Sequence, residues 1–563
     1  MKLKFSSFIF SVLVSFLLLI GTSYAGPGTV QVQTVGGITI RLGGQVRIIP
    51  TSEVNRDFGL SNQLSREQDA RAAMAMGSLG NLSALGATAA TINTPSYLLH
   101  ANTRAHLNEG AGAVKDDYIR TEDRLFFNFA RPKEWSVYVA LEMDSLFDRS
   151  VADRTDFARG NQSQQFGIER LLATINMPCV SSELQAGWDV RGIDVGYGGL
   201  VYGDDDPGIG VVGSKNKFKW AVWYIKKDEK EAGYAYGTSN PLGSAFSGKD
   251  NDRTLYYAKL GYTLGSSFVE GFYFLDRNYA PNLDKKTGEE VFRNITRNFI
   301  GMNYKGTYGI FKPMAELVCC LGDYNYDFNN TGQSDKDIRS MAAFADLAVD
   351  LHQFLQQVVN VQKFEANIGG YYVEGDANYN DNKLTGYAPA VGITRFTPRF
   401  GTEQSISFDG DPMLGQTLYS MFPTYYGTSG GASINGKGSM DNPGFWMLGG
   451  GIKAGYGKWC YNTHVMAMWF NQSKAVENYF SHYKYLTDAR IHSFMGIEWN
   501  NELRYQIYKN VSIKGGAALL FPGHGAKDIT KAFDAYAREV SFAQGRAADD
   551  ISMRFAAELL WFF

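Results

Sequence analysis

The most restrictive feature of this chain is a two-residue rhythm of apolar and polar side chains, repeated over many stretches of roughly ten residues. Between Glu122 and Arg131, Leu125, Phe127 and Phe129 share one face; Glu122, Arg124, Phe126 and Asn128 share the other. After Pro132-Lys133-Glu134, Trp135, Val137, Val139, Leu141 and Met143 oppose Ser136, Tyr138, Ala140, Glu142 and Asp144. Successive side chains of a strand point to opposite faces, so this pair reads as a hairpin with one apolar and one polar side. The alternation returns at 184–191, 217–224, 253–264, 446–456, 459–469 and 552–563. Aromatic residues stand near the strand ends, as Trp446 and Tyr456 or Trp459 and Trp469 do, which suits a girdle at each edge of a bilayer.

Outside the first 25 residues the chain has no run of 18 apolar residues. A membrane-embedded form would therefore cross as strands, the alternative to helices that satisfies every backbone group internally. The composition agrees: 14% aromatic residues and 62 glycines accompany a mildly polar mean hydropathy of -0.23. The reading is an all-β fold, a transmembrane antiparallel β-barrel. At the N-terminus, Lys2 and Lys4 precede the apolar run Phe8 to Ile20, and Thr22-Ser23-Tyr24-Ala25 supplies small residues at a cleavage site. That arrangement is a secretory signal peptide over 1–25, with the barrel over 26–563.

Charged residues recur in mid-strand on the polar faces, and an unpartnered charge is too costly for a dry core. Those faces are expected to line water in a lumen of about 16–18 strands. The candidate pore-lining residues by parity are Arg124, Glu142, Arg170, Asp189, Arg191, Lys453, Glu498, Glu502, Arg504, Arg554 and Glu558. Each reads equally as a structural ion pair of the wall. Short periplasmic turns are expected at 132–134, 264–266, 306–307 and 509–510, opposite long extracellular loops. Three inserts are long: 55–97, with a helix-like stretch at 65–77; 376–443; and 523–550, with a short helix expected at 530–540. Such inserts cover the outer mouth or fold inward and narrow the pore.

Catalytic patterns are missing. No histidine lies in HExxH or beside a serine motif of the GxSxG kind. Glu498 and Glu502 share a face about 13–14 Å apart, too far for a hydrolytic pair. The densest acidic run, Asp204, Asp205 and Asp206 before Pro207-Gly208, reads as a solvated turn, with calcium binding as the weaker alternative. No cofactor is expected. Cys179, Cys319, Cys320 and Cys460 lack CxxC spacing; Cys319 and Cys320 should face opposite sides of one strand, and their disulfide status stays open. A formal charge of -3, from 54 basic and 57 acidic residues, gives no basis for nucleic-acid binding.

Two stretches carry a family resemblance. The alternating segment 552–563, ending on Phe563, resembles the last strand of bacterial outer-membrane proteins, whose terminal aromatic residue is read by the barrel-assembly machinery. The hairpin 495–523 pairs a strand bearing Glu498 and Glu502 with a return strand ending in Phe521-Pro522-Gly523 across Lys509-Asn510. It resembles the last hairpin of alginate-export-type porins, which are 18-stranded channels. The resemblance implies a Gram-negative outer-membrane location and passage of small hydrophilic or charged solutes by passive diffusion. Outer-membrane lipid would surround the barrel, and a homotrimer is among its options. Mixed signs on the polar faces depart from a strongly cationic pore, so the polymer itself is not carried over. Two other readings remain: a barrel sheath around an electron-transferring cytochrome, and a non-conducting surface receptor or adhesin.

Overall fold

A computed structural model describes residues 30–55, 58–60, 115–146, 167–193, 200–228, 252–279, 282–283, 290–291, 293–326, 335–359, 361–378, 381–390, 405–406, 443–481 and 484–563. Eighteen strands form one ring. They are β1 (Ile38–Val54), β2 (Lys115–Arg131), β3 (Trp135–Leu146), β4 (Gly167–Met177), β5 (Ser182–Ile193), β6 (Tyr202–Lys215), β7 (Phe218–Asp228), β8 (Arg253–Leu264) and β9 (Ser267–Asn278). The second half comprises β10 (Arg293–Lys305), β11 (Phe311–Tyr326), β12 (Lys336–Asp350), β13 (Lys363–Val373), β14 (Phe445–Tyr456), β15 (Trp459–Phe470), β16 (Phe494–Tyr508), β17 (Val511–Pro522) and β18 (Ser552–Phe562). Each strand pairs antiparallel with the next, and β18 pairs antiparallel with β1. The result is a closed 18-stranded barrel, at the upper end of the expected count.

Its two ends differ, as the sequence implies. At one end the connections are short, with 132–134, 216–217, 265–266, 457–458 and 509–510 among them. At the other lie the long ones, including 55–114, 374–444 and 523–551. The short-turn end has one exception, 351–362, which carries helix α1 (His352–Val359). The stretch 65–77, expected to be helical, lies outside the described residues, as does the signal segment 1–25. An additional strand, Val30–Val35, folds back on β1 through Gly36-Gly37.

Parity sorts the wall as predicted. Leu260, Ile300, Leu448 and Val465 are each at least half exposed on the outward face, while Tyr138, Ala140 and Glu142 are buried on the inward one. Outward aromatics cluster at both rims. Trp446 stacks on Trp469 at 4.1 Å near the long loops, and Trp459 meets Tyr505 at 4.5 Å near the short turns. Cys319 is exposed and Cys320 buried, on opposite faces of β11, and all four cysteines are free.

Two local expectations are corrected. The run Asp204 to Gly208 is not a turn but lies inside β6. Turn chemistry misleads here because Pro207 stands just before the ladder to β7 begins at Gly208–Ile225, so its missing N–H removes no bond on that side. The helix expected at 530–540 is α3 (His524–Ala537). Its buried stripe starts with Ala526 and Ile529 and continues to Phe533. Thr530 is therefore an interior residue, and its hydroxyl donates back to Lys527 O at 2.8 Å rather than capping the helix. A second helix at this end, α2 (Ser473–Phe480), meets α3 edge-on through Phe480 and Phe533.

Closure is completed at the last residue. Gly44 N donates to Phe563 O at 2.8 Å, and Phe563 N donates to Gly44 O at 3.0 Å. The Phe563 ring lies over Gly44, where a Cβ would come within 2.3 Å of Phe563 Cζ. An aromatic ring laid over a strand glycine covers backbone that would otherwise be bare. Gly44→Leu must displace that ring and should lower the fraction of chain that shows the heat-modifiable mobility of a folded barrel on a gel. Gly515→Ala, where a Cβ meets nothing within 4 Å, should leave that fraction unchanged. Equal folding of the two variants would rule out the ring–glycine contact as a closure determinant.

Candidate functional site

The inward face is divided into two arcs. From β16 around through the closure to β5 it is ionic. Glu502 and Lys514 approach at 3.6 Å, Lys514 and Glu558 at 3.1 Å, and Glu558 reaches Arg47 Nη2 at 2.6 Å. Arg47 Nη1 then meets Glu122 at 2.8 Å, which also contacts Arg120 and Arg124. Arg124 additionally holds Glu142 at 2.5 Å and Glu169 at 3.0 Å. Arg170 carries the chain on, to Glu169 at 3.4 Å and to Asp189 at 3.9 Å. Oppositely charged side chains thus follow one another across eight adjacent strands.

Glu169 reaches the lumen because of a β-bulge. The register of β3 with β4 runs Ala140–Arg170 and then Leu141–Ile168, leaving Glu169 unpaired. An extra residue of this kind re-aims a side chain, and Glu169 joins its neighbour Arg170 at the ionic arc.

From β7 to β15 the inward face is largely apolar. Trp223, Phe274, Phe299, Phe344, Met447 and Met466 are all buried there. Charged residues are fewer here and lie among apolar ones, with Glu270, Glu316 and Asp346 buried on this arc. Part of the covering comes from the insert 374–444. Leu384 pairs in parallel with Ile338 of β12, and Tyr387 packs edge-on against Phe299 at 6.1 Å. Tyr387 N donates to Glu374 O and Ala390 N to Val201 O, both at 2.8 Å. Glu374 lies just beyond β13; burial raises its carboxyl above the ordinary value, and Oε2 accepts the Met341 N–H at 2.8 Å.

Two clamps fix this insert to the wall. In the first, Arg297 Nη1 donates to the carbonyls of Ala388 at 2.9 Å and Pro389 at 3.3 Å, and Arg253 donates to that of Ala390. Asp276, fully buried, lies between these arginines and accepts from Arg253 Nε and Arg297 Nε at 3.1 Å each. In the second clamp, Ile406 N donates to Glu498 Oε1 at 2.8 Å, and Arg554 Nη1 donates to Ser405 O at 3.4 Å. The first stands on β8–β10 and the second on β16 and β18, nearly opposite in an 18-strand ring. Described residues of one insert, 388–390 and 405–406, are thus held on nearly opposite sides of the ring.

Of the residues singled out from sequence, Arg124, Glu142, Arg170, Glu502 and Glu558 meet in the ionic chain. Asp189 ends it, and Arg191 turns instead to backbone carbonyls and to the face of Trp223 at 4.0 Å. Arg504 does not pair with Glu498, and its Nε is buried without a hydrogen-bond partner. Glu498 and Arg554 belong to the insert clamp, and Arg554 also meets Glu53 at 3.1 Å. Lys453 is on β14, directly across the ladder from Glu365 of β13. Asp204 and Asp206 share Lys227 at 2.6 and 2.8 Å, so an ammonium already neutralises the proposed calcium ligands. Among the described residues no group of three such side chains is arranged to hold a metal ion. Sequence reading missed Arg47, Glu169, Lys514, Arg253, Asp276 and Arg297. Lys514 and Arg47 were open to parity; Glu169 was not, because the bulge reverses it.

No protein-family model matches the chain, and no curated protein matches it. Solved structures resemble it in outline. Pseudomonas aeruginosa OccK8 (OprE) is 10% identical, over 93% of this chain and 98% of that one, with a TM-score of 0.41. OccK2 (OpdF) of the same species, solved with glucuronate, is 9% identical over 95% and 99%, also at 0.41. OmpT of Vibrio cholerae is 8% identical over 95% and 100%, at 0.33. The 18-strand assignment rests on the chain's own strand pairing.

Arg124 serves three carboxylates, of which Glu142 and Glu169 are almost wholly buried. Removing one partner of a buried pair typically costs about 3–5 kcal/mol. Arg124→Met should therefore lower unfolding stability in denaturant by an amount of that order, and adding Glu169→Gln should recover part of it. Additive effects of the two substitutions would show that Arg124 and Glu169 are not coupled.

Proposed function

We propose that the chain is an outer-membrane channel of a Gram-negative cell, admitting small hydrophilic or charged solutes by passive diffusion along the ionic arc. The observation that carries this reading is the combination of faces on one closed ring. The outward side is a continuous apolar surface with aromatic rims, suited to hydrocarbon and its interfaces. The inward side holds a fixed row of both charge signs, which aligns polar solutes without demanding one sign of charge. The short-turn end is then periplasmic and the long-loop end extracellular. Arg124, Glu142, Arg170, Asp189, Glu502 and Glu558 are the lining residues in this reading. Arg253, Asp276 and Arg297 set the bore by holding the insert across it. Alginate is not assigned as the solute, because no single sign dominates the ionic arc.

Purified folded protein in a planar bilayer should give ohmic conductance steps with weak preference between cations and anions. A folded, inserted barrel that stays silent across a range of voltages would eliminate the channel reading. The clamp makes a second expectation. Arg297→Ala removes the donor to Ala388 and Pro389, so single-channel conductance should rise several-fold or flicker between levels. Unchanged, quiet steps would mean that this segment does not restrict the path.

A further inference from the structure

At the long-loop end, outside the lumen, two histidines from different connections face each other. His492 lies just before β16, and His524 is the first residue of α3. Their ring centroids are 5.5 Å apart, with the planes inclined by 48°. Two imidazoles bound to one tetrahedral ion, with metal–nitrogen bonds of about 2.0–2.1 Å, would have centroids about 5 Å apart. The centroid spacing is within the range that shared coordination requires.

His492 is also oriented as a metal-binding imidazole should be. Its Nδ1 lies 2.6 Å from Asp528 Oδ2, and its backbone N donates to the same oxygen at 2.9 Å. A carboxylate accepting the Nδ1 proton fixes the tautomer, leaves the Nε2 lone pair free, and strengthens the ring as a ligand. Asp528 stands one helical turn beyond His524 on α3, so the residue that holds His492 belongs to the same helix as His524. The positive end of the α3 dipole at His524 opposes a cation, and the charge of Asp528 offsets it. His492 is 69% exposed, which leaves room for water in the remaining coordination positions.

We propose that His492 and His524 form a surface site for a divalent transition-metal ion such as zinc or copper, with Asp528 as the positioning residue. Nitrogen donors select these metals over calcium and magnesium. With two protein ligands and water completing the shell, the ion exchanges readily with solvent. Its binding ties the connection 471–493 to the neighbouring connection 523–551 at the rim of the barrel. The site is independent of the channel reading and stands if the barrel does not conduct.

The test uses the full-length folded chain without a polyhistidine tag, stripped by a chelator and titrated with zinc chloride in a calorimeter. One saturable site per chain is expected. His492→Gln and His524→Gln should each weaken zinc at least tenfold, and Asp528→Asn should weaken it by 10–100-fold. His352→Gln, at the opposite end of the barrel, should leave zinc binding unchanged, and a control titration with calcium chloride should give no binding. Heat-modifiable gel mobility establishes that each variant is folded. Cobalt in place of zinc should give visible absorption that is lost in His492→Gln. Absence of a one-to-one site, or zinc binding unaltered in folded His492→Gln and His524→Gln, overturns the proposal.

Discussion

Pairing β1 with β18 is the constraint on which the rest of this structure depends. A sheet of 18 strands left open would present two rows of unpaired N–H and C=O groups, a template for uncontrolled association. Closure removes both rows, and only then can the outward face be apolar along every strand. The seam is also the least uniform joint in the ring. Pairing runs from Gln45–Phe562 to Ile48–Leu559 and resumes at Thr51–Ala556. Pro50, which has no N–H to donate, stands in the gap. The Gly44–Phe563 bonds and the ion pair Arg47–Glu558 tie the seam below that gap, and Arg554–Glu53 ties it above.

A closed ring of this size creates an interior that must be filled by something. Here two materials share it. The ionic arc works because each charge has an opposite charge on a neighbouring strand, so desolvation is offset strand by strand rather than by bulk water. The apolar arc cannot be left against water at such an extent, and inserted backbone covers it. Backbone in a lumen needs hydrogen-bond partners of its own. Arg253, Arg297 and Glu498 are those partners: charged side chains on the wall satisfy carbonyls and an N–H of the insert. The two arcs and the insert therefore form one solution to a single packing problem.

Much of this was legible in the sequence, for a simple reason. Alternation at 122–144 and 446–469 reports which side of a strand faces out, and closed barrels preserve parity along each strand. The all-β barrel class and the division of Cys319 from Cys320 follow from it, while the range of about 16–18 strands came from the width that charged inward faces require. Parity failed where its assumptions failed. Strands such as β12 carry apolar residues on both faces, Met341 and Leu347 outward with Ile338 and Phe344 inward, so no polar lumen face could be read there. The bulge at Glu169 inverts the count by one. Asp204 to Gly208 has turn chemistry but strand geometry, because its sole proline falls just before the ladder to β7 begins. The clamps were hidden for a different reason: Arg297 and Ala388 are 91 residues apart, and nothing local signals that a guanidinium will meet a loop carbonyl.

The nature of those clamps also constrains how the insert can move. Arg253 and Arg297 bind carbonyl oxygens, so the attachment depends on the path of the 388–390 backbone and not on its side chains. Asp276 holds both guanidiniums at once, and the three wall residues act as one unit. Losing a single carbonyl contact leaves the arginines paired with Asp276, which keeps the cost of detaching the segment low relative to exposing a bare charge. Detaching the Glu498 clamp differs: Glu498 keeps the Asn500 amide at 2.8 Å, but its charge loses a backbone donor in a fully buried position.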